Sequence, residues 1–201
     1  MAFGLKPVKM RGAQYNNGGM ETFPVANAYG TALFRGDPVK LSAGYLQIAG
    51  NGDKVLGVFW GASYVDANGV PQAARHLPAS TAANGAPYDQ VDGLGLEVNV
   101  AKVITQRDVL MEIQADNSVS VGLVGRNFRV SIGTGNTTTG LSGANLKVSS
   151  ATTSGGDAAS ASSQTMVRLV GVADRPGNSI GASNPILLVR WNYHMDDYTN
   201  V

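Results

Sequence analysis

The chain contains no cysteine. Neither a disulfide framework nor a thiolate metal site can be built from it; either the protein folds in a reducing cell, or its stability comes from packing and assembly. Charge is also scarce. Asp, Glu, Lys and Arg make up 14% of the 201 residues, against about a quarter in an average soluble protein. The formal net charge is +1, so the strongly basic face that nucleic acid requires is not expected. No run of about 18 apolar residues occurs, which excludes a membrane-spanning helix. The opening stretch MAFGLKPVKMRG has no apolar run long enough for a signal peptide. No helical hydrophobic period of useful length appears either.

Glycine and alternation are abundant instead. The chain has 26 glycines and 43% hydrophobic residues, a composition suited to strands joined by tight turns. Residues 31–34, 39–41 and 45–48 read as short strands, separated by Gly36-Asp37-Pro38 and Ser42-Ala43-Gly44. Asn51-Gly52 is a hairpin signal, because both residues tolerate positive φ. Residues 55–60 form a nearly continuous apolar run and predict a buried central strand. Asp66-Ala67-Asn68-Gly69 marks another turn, and residues 71–90 read as loop. Alternation predicts strands over 97–105, 109–114 and 127–132, and two more over 166–172 and 186–193. Residues 107–117 also fit a short helix, but Val109, Met111 and Ile113 recur with period two, which favours strand. A faint echo links VLGVFWGASYVDANG with RLVGVADRPGNSIG; it does not amount to a duplication.

The expected fold is all-β. An antiparallel sandwich of jelly-roll type leads, with a small β-barrel carrying a β subdomain as the alternative. Residues 1–22 are read as an extended N-terminal arm that becomes ordered on a partner, with a disordered tail as the alternative, and residues 23–201 as one β-rich domain. A Gly/Ser/Thr/Ala-rich surface loop is expected around 133–165, with Leu141, Leu146 and Val148 as its few anchors. Residues 149–163 contain no aliphatic side chain larger than alanine and cannot bury a core.

No constellation for chemistry emerges. His76 and His194 lie far apart, and Asp196-Asp197 beside His194 reads as a solvated acidic end, so no metal is expected. There is no phosphate-loop lysine motif. Gly133-Thr134-Gly135 lacks a following helix, and no cofactor is expected. Asp89, Asp92, Glu97 and Glu112 offer no local geometry for a glycosidase pair. Arg35-Gly36-Asp37 spells an adhesion tripeptide, yet Gly and Asp suffice to shape the turn before Pro38. Asn136-Thr137-Thr138 matches a glycosylation acceptor that should stay bare without secretion. Phe34, Tyr45, Phe59, Trp60, Phe128, Trp191 and Tyr193 sit in strands without a basic groove around them, which favours core and interface roles over base stacking.

Four stretches form a chain of elements in fixed order: FPVAN at 23–27, LFRGDPVKL at 33–41, LGVFWG at 56–61 and NYH at 192–194. In these the chain resembles the capsid cement, or decoration, proteins of short-tailed bacteriophages. That resemblance implies a non-enzymatic β-rich protein on the outer surface of the phage head, bridging major capsid protein subunits. It further implies a homo-oligomer, a trimer by analogy, made in the bacterial cytoplasm, with no membrane or nucleic-acid partner. The 149–163 tract has no counterpart in the pattern. The arm, through Phe3, Leu5, Lys6, Val8, Lys9 and Arg11, is the expected capsid contact. A head-fibre or tail-associated receptor- or glycan-binding module is the alternative, and a hydrolase on a β scaffold comes third.

Overall fold

A computed structural model of the chain describes residues 2–10, 19–26, 29–66, 68, 70–79, 100–148 and 165–196. The expectations for Arg11, Asp89, Asp92, Glu97, Asp197 and the 149–163 tract fall outside these residues. Fifteen strands are present among those described. They are β1 (Lys6–Met10), β2 (Met20–Pro24), β3 (Leu33–Phe34), β4 (Pro38–Ser42), β5 (Tyr45–Ile48), β6 (Gly57–Val65), β7 (Pro71–Ala74) and β8 (His76–Leu77). They continue with β9 (Val100–Ile104), β10 (Val109–Gln114), β11 (Asn127–Phe128), β12 (Val130–Ser131), β13 (Asn145–Leu146), β14 (Val167–Val172) and β15 (Ile186–Trp191). One 3-10 turn, Val121–Leu123, is the sole helical element among the described residues. The protein is all-β, with antiparallel sheets in a sandwich-like arrangement.

A five-stranded sheet runs β1-β10-β15-β14-β11, and a six-stranded sheet runs β2-β9-β6-β4-β5 with β7 added on β6. Two-stranded ribbons, β12-β13 and β3-β8, accompany them. The far strands of the larger sheet, β2 and β5, come into contact, so that sheet curls toward closure.

Each sheet covers its own core. The larger core gathers Leu5, Met111, Ile113, Phe128, Leu146, Leu169, Leu187 and their neighbours. The smaller gathers Val25, Leu33, Val39, Leu46, Phe59, Val103 and others. Strand β6 serves both. Val58 belongs to the larger core and Phe59 to the smaller, each with no exposed surface. Successive strand residues point to opposite faces, so a strand buried on both sides must be apolar at both parities. That is the physical origin of the run at 55–60.

Several expectations hold at the level of single elements. Strand β10 covers the residues whose period of two favoured strand over helix, and Val109, Met111 and Ile113 are fully buried. The β4–β5 hairpin turns through Ala43 (φ 50°) and Gly44 (φ 84°), both in the left-handed region, as a two-residue turn of this kind requires.

Other expectations need correction. Asn51-Gly52 does form a turn, with Gly52 at φ 93°, but it does not close a hairpin. Its flanking strands β5 and β6 are separated by β4. Part of the 71–90 loop is strand: β7 pairs with β6, and β8 with β3. Residues 133–148 are not merely surface, since Gly140, Ser142, Ala144, Leu146 and Val148 are buried. Small side chains allow this depth. A Cβ on Gly143 would lie 2.2 Å from the Thr134 carbonyl oxygen, so two backbones touch where larger residues would hold them apart.

The N-terminal arm is also corrected for residues 2–10. This stretch is extended, but it lies on the chain's own body: β1 pairs with β10 along the edge of the five-stranded sheet, and Leu5 is 1% exposed. An apolar residue at position 5 gains more from joining the core than from lying in solvent.

Candidate functional site

The two sheets meet at the corner formed by residues 35–38. Gly36 N–H donates to the Phe59 carbonyl (2.9 Å), and Phe59 N–H donates to the Asp37 carbonyl (2.9 Å), tying the corner to β6. Leu5 N–H donates to the Gly36 carbonyl at 2.8 Å and brings in the N-terminal segment. Ser142 N–H donates to the Arg35 carbonyl at 2.9 Å and brings in the 140–142 segment. The Asp37 carboxylate sits inside this knot, 2% exposed. It accepts from Phe34 N–H at 2.8 Å and from the Ser142 hydroxyl at 2.5 Å. Burial raises its pKa to about 6, against the opposing pull of those two hydrogen bonds. The Arg-Gly-Asp tripeptide is therefore structural, because its carboxylate is not accessible to a receptor.

Beside the knot lies a half-open cleft of about 320 Å³. Phe3, Leu5 and Lys6 line it together with Arg35, Trp60, Leu141 and Arg175. Trp60 reaches it through a β-bulge. The register between β6 and β9 shifts between Phe59 and Gly61, so Trp60 is the unpaired residue. A bulge re-aims a side chain that strict alternation would direct elsewhere.

Arg35 is held from several directions. Its backbone N–H is shared between the Arg75 and Gly140 carbonyls, at 3.0 and 2.9 Å. Its Nε donates to the Trp60 carbonyl at 3.1 Å, and its guanidinium carbon lies 3.8 Å from the Trp60 ring centroid. Such stacking stabilises a partly desolvated cation by about 0.5–2 kcal/mol. Desolvation, and then the neighbouring Arg75, lower the Arg35 pKa from its ordinary value. Arg175 and Lys6 meet the buried Glu112 from the other side, Lys6 at 3.8 Å.

Three of the six expected arm residues, Phe3, Leu5 and Lys6, line this cleft. Val8 is half-buried at an irregularity in β1, between Pro7 and Lys9, and Lys9 is exposed opposite Leu110. Arg35, Trp60, Leu141 and Arg175 were not foreseen from sequence. Gly61 inside the strand was the available signal, since a glycine in a strand interior often marks a bulge.

The histidines are accounted for structurally. His76 stacks on Phe34, with ring centroids 5.7 Å apart and planes 11° from parallel. His194 is buried, with Nε2 2.9 Å from the Leu56 carbonyl and Nδ1 accepting from Asp196 N–H at 3.2 Å. Among the described residues, no three His, Asp or Glu side chains gather as a metal site would require. Comparison of the chain with known protein families, curated proteins and solved structures gives no match.

Proposed function

We propose that the chain is a virion structural protein: a cement protein that binds the outside of a phage capsid and bridges neighbouring major capsid subunits, without enzymatic activity. It acts as a homo-oligomer, with a trimer favoured. The observation that carries the reading is where the four stretches behind the resemblance lie. Leu56 N–H donates to the Val39 carbonyl at 2.8 Å, joining LFRGDPVKL to LGVFWG. His194 bonds the Leu56 carbonyl and Val55 N–H donates to the Tyr193 carbonyl at 3.0 Å, joining NYH to the same point. Val25 of FPVAN enters the core on which Val39 and Phe59 converge.

The pattern behind the resemblance is thus one connected piece of architecture around the joint between the sheets. A chain whose distinctive residues mostly maintain shape is suited to presenting a surface. Repeated attachment over a shell raises effective concentration without new contacts, so each individual contact can be modest. The test is co-sedimentation of the purified protein with empty, expanded phage heads. Binding at fixed stoichiometry, with heads that then resist heat better, is the expected result. Failure to bind such heads sinks the reading.

A further inference from the structure

We propose that the cleft beside Trp60 is a peptide-binding site, taking a partner segment that presents a carboxylate next to an apolar side chain. The inference rests on the reading above for its partner being a protein, and it adds the chemistry of the contact. Charge is the first argument. Three cations, Lys6, Arg35 and Arg175, face the cleft, while the buried Glu112 behind them supplies one carboxylate. Glu112 engages Lys6 and Arg175 and leaves Arg35 over. Among the described residues, neither terminal nitrogen of Arg35 has a protein acceptor.

Geometry is the second argument. The Arg35 guanidinium is fixed by its Nε bond to the Trp60 carbonyl and by the ring beneath it. A guanidinium held in this way presents a planar fork, matched to the two oxygens of a carboxylate. Its orientation is set before the ligand arrives, which lowers the entropic cost of binding.

The remaining wall selects what accompanies the carboxylate. Phe3, Leu141 and the Trp60 ring offer half-buried apolar surface that a bare anion would leave wet. The volume of about 320 Å³ falls at the small end of ligand sites, roughly 300–1,000 Å³. It suits one or two side chains rather than a folded element.

The experiment follows the indole N–H signals of the ¹⁵N-labelled full chain, with Trp60→Phe identifying the Trp60 signal. Three probes are titrated: acetyl-Leu-Asp-Leu-amide, its Asn counterpart, and inorganic phosphate. The Asp peptide should shift the Trp60 indole saturably, and the Asn peptide should bind at least about tenfold more weakly. Arg35→Lys keeps the charge but not the fork, and should weaken the Asp peptide by about tenfold. Leu141→Asp places a carboxylate in the cleft and should abolish peptide binding, giving a second variant should Arg35 replacements fail to fold. Equal binding of the Asn peptide, or phosphate binding as tightly as the Asp peptide, would overturn the proposal. So would the absence of any saturable shift with the Asp peptide, whatever the heads do. Loss of head binding with peptide binding intact sinks the cement reading and leaves this site standing.

Discussion

Asp37 and Ser142 are 105 residues apart in the chain, yet the serine hydroxyl donates to the aspartate carboxylate inside the core at 2.5 Å. The hydroxyl oxygen also accepts from Ala144 N–H at 2.9 Å, so its proton is directed at Asp37. One carboxylate thereby anchors the corner between the sheets to the glycine-rich 133–148 segment.

Asp37→Ala should be strongly destabilising. It strands the Phe34 N–H and the Ser142 hydroxyl, each at about 1–3 kcal/mol when buried without a partner. Urea unfolding of the variant should show a lowered midpoint with an unchanged slope.

The same carboxylate makes stability depend on pH. Its folded pKa, about 6, lies above the ordinary value of 3.8. The folded state therefore holds the proton to higher pH than the unfolded state does. Its contribution to stability is fully present below about pH 4, falls between about 4 and 6, and is flat above; the total change is about 3 kcal/mol at most. Urea midpoints of the wild type at pH 4.5 and 7, set against Asp37→Asn, isolate it: the variant should lack this component of the slope.

Two glycines at the same joint are irreplaceable for steric reasons. Gly4 has φ +72°, and a Cβ there would lie 2.6 Å from Ser142 Cβ and 2.7 Å from the Gly36 carbonyl oxygen. Gly36 has φ +99° and would meet the Phe3 carbonyl oxygen at 2.9 Å. Gly4→Ala and Gly36→Ala should each cost about 2–4 kcal/mol, combining left-handed strain with overpacking. Gly44→Ala shares the strain (φ +84°) but opens onto empty space, and should cost only about 1 kcal/mol. Thermal melts should place Gly4→Ala and Gly36→Ala well below Gly44→Ala.

Removing the N-terminus should damage the fold as well as any contact it makes. Leu5→Ala leaves a cavity at a site 1% exposed and should cost about 2–4 kcal/mol. Deleting residues 1–10 also uncovers the edge of β10. Binding of a hydrophobic dye and a lowered melting temperature would report both; an unchanged melt would contradict the placement of β1.

Arg175 and Glu112 should prove energetically coupled. Arg175→Ala leaves the buried Glu112 with Lys6 alone at 3.8 Å and should cost about 1–2 kcal/mol, since the arginine itself is partly exposed. Adding Glu112→Gln should recover part of the loss. A double-mutant cycle in urea that gave simple additivity would refute the coupling.

The strands were legible because their information is local. Alternation at Tyr45–Ile48 and Val109–Gln114 placed β5 and β10 with the bounds they adopt. The nearly continuous apolar run at 55–60 announced a buried central strand. What was hidden depends on partners distant in the chain. PQAA at Pro71–Ala74 has no strand character of its own and is extended because β6 offers its edge. Asn51-Gly52 turned as expected, but nothing local revealed that β4 already occupied the place beside β6. The cleft was hidden for the same reason. Phe3, Arg35, Trp60, Leu141 and Arg175 come from five separate segments, and only a bulge turns Trp60 toward the others.

Strand β6, with Val58 in one core and Phe59 in the other, has a further consequence for how the molecule fails. Neither core can melt while the other stays intact, because each would lose a wall that its neighbour still needs. The protein should open in a single cooperative transition, with the amides of β6 the last to exchange with solvent. Between full integrity and collapse, no half-open form is left to populate.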